Sequence, residues 1–211
     1  MGLGLPTGGG GDFVPYLKYN AKAGRWYTKN DAGDDVEVVN MTAVFDMPNI
    51  KTGLLAFTAG QAPEYIFDSG IGANDAVEPA GTALNFKRGF LMHVYAEKAF
   101  MGVREFGSTA GVVNDVMNTL WDAYDSAPEK GSGQLPIVAC NGVSAIEGKH
   151  GTNYAPNLAI MGWTKRPAAF DELVKKTDAT PAPANPVPAP APAVPPPAAL
   201  AGPVASGVSE F

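Results

Sequence analysis

The chain has 211 residues and a formal charge of −6 at pH 7, with 45% hydrophobic and 17% charged residues. This length allows one domain, or one domain and a tail. Its one cysteine, Cys140, excludes a disulfide scaffold, and no apolar stretch approaches the roughly 20 residues of a membrane-spanning helix. The first residues lack the basic and apolar regions of a signal peptide, so we expect a reducing, cytoplasmic compartment.

Proline is concentrated near the C-terminal end of the chain. Ten of the 19 prolines lie between positions 181 and 203, in a stretch made mostly of Ala, Pro and Val. Because proline removes backbone donors and alanine buries little apolar area, this stretch cannot build a core. The expected organisation is a flexible Gly-rich N-terminus (1–12), a folded domain (13–176), a disordered Pro/Ala linker (177–205) and a C-terminal tip (206–211).

Taken in chain order, runs of β-branched and aromatic residues predict a series of strands. They are Val14–Asn20, Arg25–Lys29, Glu37–Phe45, Leu54–Thr58, Tyr65–Phe67, Gly89–Tyr95, Leu135–Ala145 and Asn157–Trp163. The Gly-rich stretch that follows Phe67 and runs to Gly81 predicts an exposed loop.

One segment has the spacing of an amphipathic helix. Thr109–Asp125 places apolar residues on one stripe and acidic residues opposite, with Ser108 as the expected N-cap and Pro128 with Gly131 as the stop. A short helix is expected at Ala168–Lys176. Strands, one helix and two more strands favour a mainly β fold, an OB-like β-barrel with the helix between strands 3 and 4 and with extra hairpins.

Catalytic and metal-binding patterns are poor. His93 and His150 are far apart, and neither has metal-ligand spacing with Cys140 or with a carboxylate. No serine nucleophile has an evident histidine base, and Cys140 ends an apolar run, which favours a buried structural thiol. We therefore expect no enzyme activity, no cofactor and no metal.

Residues 16–29 predict a hairpin closed by a four-residue loop, which pairs Tyr19 with Trp26 and Lys18 with Tyr27. Alternation then divides the side chains between two faces. One face carries Tyr16, Lys18, Asn20, Arg25, Tyr27 and Lys29, with Lys22 at the tip, and the other carries Leu17, Tyr19, Trp26 and Thr28. Rings that alternate with cations favour single-stranded nucleic acid, because bases stack on the rings while Lys and Arg contact phosphates. The alternative is a merely soluble face with Trp26 in the core.

The cations Lys51, Lys87 and Arg88 extend this predicted surface. For each of them, an ordinary surface charge is an equal alternative. Residues 13–30 hold four cations and no acid, a local balance of +4 on an acidic chain. A one-residue slip in register would place Trp26 instead of Tyr27 on this face, so both are included among the predicted binding residues. The predicted nucleic-acid-binding residues are Tyr16, Lys18, Lys22, Arg25, Trp26, Tyr27, Lys29, Lys51, Lys87 and Arg88.

Four further segments are informative as a set, namely PYLKYNAKAGRWY (15–27), PNIKTG (48–53), GVREFGSTAG (102–111) and GTNYAP (151–156). Together they resemble segments of the OB-fold single-stranded-DNA-binding proteins of tailed bacteriophages. The resemblance covers most of residues 13–168. It implies coating of single-stranded DNA in phage DNA replication or recombination, without enzymatic turnover, in the host cytoplasm, with a homo-oligomer as one option.

The C-terminal tip adds a further expectation. Proteins of the resembled class commonly end in a disordered linker and an acidic tip that closes on Phe and recruits partner enzymes. Here the tip ends in Glu210 and Phe211, with one Glu where the class often has an Asp run. The resemblance implies partner binding through Glu210 and Phe211. The alternative to DNA binding is a phage structural or protein-interaction module, with the Pro/Ala tail as a spacer.

Overall fold

The computed structural model describes residues 14–30, 32–58, 61–149 and 151–172. The predicted N-terminal segment, the Pro/Ala linker and the tip with Glu210 and Phe211 lie outside the described residues, as does His150. Of the short helix predicted at Ala168–Lys176, residues 168–172 are helical and the remainder lies outside the described residues.

The described part of the chain is mainly β. Its strands are β1 (Tyr16–Asn20), β2 (Arg25–Lys29), β3 (Asp35–Val38), β4 (Thr42–Phe45), β5 (Lys51–Ala56), β6 (Glu64–Phe67), β7 (Lys87–Ala96), β8 (Gly102–Ser108), β9 (Leu135–Gly148) and β10 (Gly151–Thr164). A 3₁₀ turn, Met47–Asn49, joins β4 to β5, and the helices α1 (Gly111–Asp125) and α2 (Pro128–Gly131) join β8 to β9.

These strands form one sheet. Its path runs β10–β9–β4–β7–β8–β1–β2–β3, and β5 joins it through β7 and carries β6 on its other edge. The β1–β8 pair is parallel and the other described pairs are antiparallel. The two ends of the path do not pair, so the described sheet is open. The mainly β class is confirmed, whereas the predicted OB-like barrel is not confirmed.

Helix α1 follows the predicted apolar stripe but begins two residues later. Its buried residues are Val113, Met117, Leu120 and Tyr124. Ser108 is not the N-cap, because it ends β8 opposite Phe90 and its Oγ accepts a hydrogen bond of 3.1 Å from the Ala110 N–H. Ala110 holds the N-cap position. The helix lies between β8 and β9, so the predicted order of several strands, a helix and two further strands is confirmed.

Other differences concern where strands begin and break. The predicted strand Glu37–Phe45 is two strands, because β3 pairs with β2 while β4 lies between β9 and β7, and the chain bends at 39–40 between them. Strand β8 was missed, because the sequence Val103-Arg104-Glu105-Phe106 does not alternate apolar and polar residues. The predicted stop after α1 is itself one helical turn with Pro128 in its first turn, where the missing N–H of proline costs little.

The core covers one side of the central strands. Phe106 of β8 lies at its centre, with ring centroids of Trp26 at 5.2 Å, Phe90 at 5.1 Å and Phe45 at 6.0 Å. The helix α1 adds its apolar stripe to the same cluster. The opposite side of β1, β2 and β5 to β8 is here called the outer face.

Candidate nucleic-acid interface

The hairpin β1–β2 has the predicted register. Lys18 pairs with Tyr27 and Tyr19 with Trp26. The turn closes on hydrogen bonds from the N–H groups of Ala23 and Gly24 to the Asn20 carbonyl, at 3.1 and 2.8 Å. Gly24 has φ +67°, a conformation that favours glycine.

The two faces of the hairpin differ as predicted. Leu17, Tyr19, Trp26 and Thr28 are buried, and the other strand residues are exposed or half-buried. Trp26 is 4% exposed and its ring lies 4.8 Å from that of Tyr19. Trp26 therefore belongs to the core, and Tyr27, which is half-buried on the outer face, is the ring that a ligand can reach.

Two carboxylates also lie on this hairpin face, which the sequence of residues 13–30 does not contain. Strand β3 pairs Glu37 with Tyr27 and Asp35 with Lys29. Arg25 Nη1 lies 2.8 Å from Glu37 Oε2, and Lys29 Nζ lies 3.0 Å from Asp35 Oδ1. Four cations less two carboxylates leave a balance of +2, half of the value for residues 13–30 alone.

Asp35 also holds the ring of Tyr16. The Tyr16 hydroxyl donates a hydrogen bond of 2.5 Å to Asp35 Oδ1, and Lys29 Nζ lies 5.8 Å from the centroid of the Tyr16 ring. Burial, followed by the bond to Asp35, raises the pKa of Tyr16, while the bonds from Tyr16 and Lys29 lower the pKa of Asp35. The carboxylate stays ionised, so the contact with Lys29 persists at neutral pH.

Lys18 and Lys22 are the other two cations of the hairpin. Lys18 is exposed at the middle of β1, and Lys22 is exposed in the turn, where its Nζ lies 3.5 Å from the Thr152 carbonyl. The hairpin turn also rests on β10, because the Tyr154 N–H donates to the Ala21 carbonyl at 2.7 Å. The long β9–β10 hairpin therefore fixes the position of the turn that carries Lys22.

The outer face continues from the hairpin across the sheet. Tyr16 pairs with Glu105 of β8, and Glu105 pairs with His93 of β7. Directly paired residues point to the same side of a sheet. His93 is half-buried, and burial lowers its pKa, which favours the neutral imidazole. Beyond it the segment 166–170 covers the face, since the Phe170 ring contacts Tyr95 at 6.3 Å.

A cluster of aromatic rings lies farther along the outer face, on β5 and β6, and was not among the predicted site residues. The Tyr65 ring lies 6.2 Å from that of Phe57 and 5.6 Å from that of Phe67. Lys51 Nζ lies 5.0 Å from the centroid of Phe67. The Tyr65 hydroxyl donates a hydrogen bond of 2.7 Å to Glu105 Oε1. The alternation of Tyr65 and Phe67 on a short strand was the available signal in the sequence.

Lys87 and Arg88 are separated by strand alternation. Lys87 is exposed at the start of β7. Arg88 donates to both carboxylate oxygens of Asp68 at 2.8 and 2.6 Å, and to Asn74 at 2.5 Å. Arg88 therefore stabilises the loop that follows β6 through its contacts with Asp68 and Asn74. Of the two predicted site residues, Lys87 is the exposed one.

The described residues also form one apolar groove away from the outer face. It lies between α1 and β10, has a volume of about 510 Å³ and is lined by Val116, Thr119, Leu120, Ala123 and residues 156–160.

Cys140 is half-buried, and its thiol contacts the Gly142 carbonyl. Among the described residues, no cluster of three His, Cys, Asp or Glu side chains has the arrangement of a metal site.

Comparisons of the chain with protein-family models, with curated proteins and with solved structures find no match. The helices in the described ranges are too short or too polar to cross a membrane. The case for any function therefore depends on the chemistry of the described surface.

Proposed function

We propose that this protein binds single-stranded DNA without sequence preference, through the outer face of its sheet. The observation that supports this most is the confirmed register of the β1–β2 hairpin, which places Tyr16, Lys18, Tyr27 and Lys29 on one accessible face. Unpaired bases stack on aromatic rings, and lysines follow the phosphates. A duplex hides its base faces, so the rings favour a single strand.

Electrostatics support a weak and salt-dependent interaction rather than a very strong one. The ion pairs with Asp35 and Glu37 reduce the charge that the hairpin offers to phosphate. If four exposed lysines each displace one counterion, log K should fall against log salt concentration with a slope of about −3, since each contact contributes about −0.7. These lysines are Lys18, Lys22, Lys51 and Lys87.

The test is fluorescence anisotropy of a labelled oligo-dT, titrated with protein at about 50 mM salt, because low salt favours binding that releases counterions. Trp26 is buried, and Trp121 and Trp163 pack around Tyr124 of α1. Intrinsic tryptophan fluorescence is therefore a poor reporter, and a labelled oligonucleotide is preferable. A duplex of the same length and label is the control. Absence of binding to oligo-dT at this salt concentration, or equal binding to the duplex, would contradict the proposal.

The biological setting belongs to the same proposal. The resemblance supports a role in phage DNA replication or recombination, in the host cytoplasm and without turnover. Recruitment of replication or recombination proteins through Glu210 and Phe211 is part of the proposal, and removal of residues 206–211 should abolish that recruitment while oligo-dT binding is retained.

A second candidate is a protein-interaction module that uses the groove between α1 and β10. The groove is apolar, and α1 carries Asp115 and Asp122 on its exposed side. This combination fits a basic amphipathic segment of a partner. Anisotropy of a labelled basic amphipathic peptide tests it, with Ala123→Glu as a variant that fills the groove. Equal peptide binding by wild type and variant would remove the groove from consideration.

A further inference from the structure

We infer that the aromatic cluster on β5 and β6, Phe57, Tyr65 and Phe67 with Lys51, is a second base-binding site, and that one DNA strand crosses the sheet to reach both sites. This inference rests on the proposed function and adds to it a binding position and a minimum length of ligand.

The cluster lies on the same side of the sheet as the hairpin site. Lys51 pairs with Leu91 of β7, and Leu91 pairs with Gly107 of β8. Glu105, two residues before Gly107, pairs with Tyr16 of β1. Since side chains two residues apart in a strand share a face, the register carries the outer face from Lys51 to Tyr16 without a break.

The rings are held in place without being buried in the core. The side chain of Phe57 is 50% exposed, and its ring reaches over β8, where a Cβ on Gly107 would lie 3.6 Å from Phe57 Cζ. The bond from Tyr65 to Glu105 fixes the middle ring. A platform that is already ordered loses little side-chain entropy when a base stacks on it.

The charge next to the cluster suits the backbone of the same ligand. Lys51 is exposed, with its ammonium beside the Phe67 ring. A cation at the edge of a ring can contact the phosphate of a nucleotide whose base stacks on that ring. Tyr65 adds a half-buried ring whose pKa is raised by burial and by the bond to Glu105, so the phenol stays neutral and adds no negative charge.

The distance between the sites sets the length of strand required. Four strand spacings separate β1 from β6 along the path β1–β8–β7–β5–β6, and at about 4.8 Å each they amount to about 19 Å. A stacked strand that rises about 3.4 Å per nucleotide covers this distance in about six nucleotides. Six nucleotides lie within the range of about 4 to 16 that one single-strand-binding domain of the OB type covers.

The experiment measures labelled dT4 and dT12 binding by wild type and by four single variants, of which Tyr27→Ala alters the hairpin site. Phe57→Ala and Lys51→Gln remove parts of the cluster, and Met161→Ala is the control, because Met161 is 63% exposed on β10, outside the outer face. Phe57→Ala should weaken dT12 binding by about 5- to 150-fold, the range for one stacked base. Binding of dT4 should change much less, because the short strand can occupy the hairpin alone, and Met161→Ala should change neither.

The outcomes separate this inference from the proposed function. If Tyr27→Ala weakens dT12 binding while Phe57→Ala and Lys51→Gln do not, the second site is wrong and the proposed function stands. If wild type binds no oligo-dT, both the second base-binding site and the proposed function are wrong. Should Phe57→Ala unfold, ultraviolet crosslinking of bromouracil-substituted dT12 to the wild-type chain decides, since crosslinks within residues 51–67 are required and crosslinks only within 16–29 would overturn the second site.

Discussion

Arg25 on β2 and Glu37 on β3 form an ion pair of 2.8 Å across neighbouring strands. Their side chains are 58% and 39% exposed, so water screens the pair. An exposed pair of this kind adds little to stability, but in the proposed DNA complex it would compete with a phosphate for the Arg25 guanidinium. The same relation holds between Lys29 and Asp35. We infer that strand β3 limits how strongly the hairpin face attracts DNA.

Glu37→Gln should therefore strengthen oligo-dT binding. The variant frees Arg25 and removes one negative charge, so the slope of log K against log salt concentration should become steeper by about 0.7, the contribution of one phosphate contact. Anisotropy over a salt series measures the slope. The control is Glu97→Gln, because Glu97 is an exposed acid in the turn that follows β7. An unchanged slope in Glu37→Gln would show that Arg25 does not contact the strand.

Tyr27 and Trp26 are neighbours in sequence whose substitutions should separate binding from stability. Tyr27→Ala removes a ring from the outer face, and it should weaken oligo-dT binding by about 1–3 kcal/mol, the stacking range. Trp26→Ala removes a ring that is 4% exposed, and it should lower the free energy of unfolding by about 3–5 kcal/mol. Binding titrations and urea unfolding of both variants provide the measurements. If Tyr27→Ala unfolds instead, the proposed interface loses its main ring.

The hairpin could be predicted because its information is local. A four-residue turn sets the pairing of Tyr19 with Trp26, and alternation then sets both faces. The neutralisation of Arg25 could not be predicted in this way, because it depends on β3 adding to β2 in a particular register. The aromatic cluster was missed for the same reason. Phe57 and Tyr65 come together only when β6 pairs with β5, and Glu105 reaches them only through β7 and β8.

Closure of the sheet is also a non-local property. The order of strands and one helix favoured a barrel, but that order does not specify whether the ends of the sheet path meet. The break between β3 and β4 allows β3 to extend the β2 edge while β4 pairs with β7 and β9. Asn40, a residue that favours turns, lies at the bend and is a local signal for the break. The partners of β3 and β4 could not be predicted, because β-propensity measures how well a residue suits a sheet and not which strand it joins.

Arg166 should be important for stability because of its contact with Asp46. The Asp46 side chain is 2% exposed, and Arg166 donates to both of its oxygens, at 2.5 and 2.9 Å. Arg166→Met leaves a buried carboxylate without its cation, which typically costs about 3–5 kcal/mol. We expect the lower end of that range, since Asn49 still donates to Asp46 and Arg166 is itself 30% exposed.

A double variant separates lost charge compensation from lost packing. Asp46→Asn combined with Arg166→Met removes both charges, and it should recover part of the stability that Arg166→Met alone loses. Urea unfolding measures all three variants, with Lys130→Met as the control for an exposed ion pair, that between Lys130 and Asp125. Equal losses in the single and double variants would mean that packing of segment 166–170, and not the buried charge, is responsible.

Asp68 should make the protein sensitive to acid. Hydrogen bonds from Arg88, followed by those from Thr52 and the Ala76 N–H, hold the pKa of Asp68 well below its usual value. A carboxyl group whose pKa is lower in the folded state contributes stability above its unfolded pKa of about 3.9 and loses it as pH falls toward the folded value. The free energy of unfolding should therefore decline below about pH 4, and Asp68→Asn should be less stable at pH 7 but show a shallower decline. Urea unfolding at pH 7, 4 and 3 measures both effects, and parallel declines in wild type and Asp68→Asn would assign the acid sensitivity to other carboxylates.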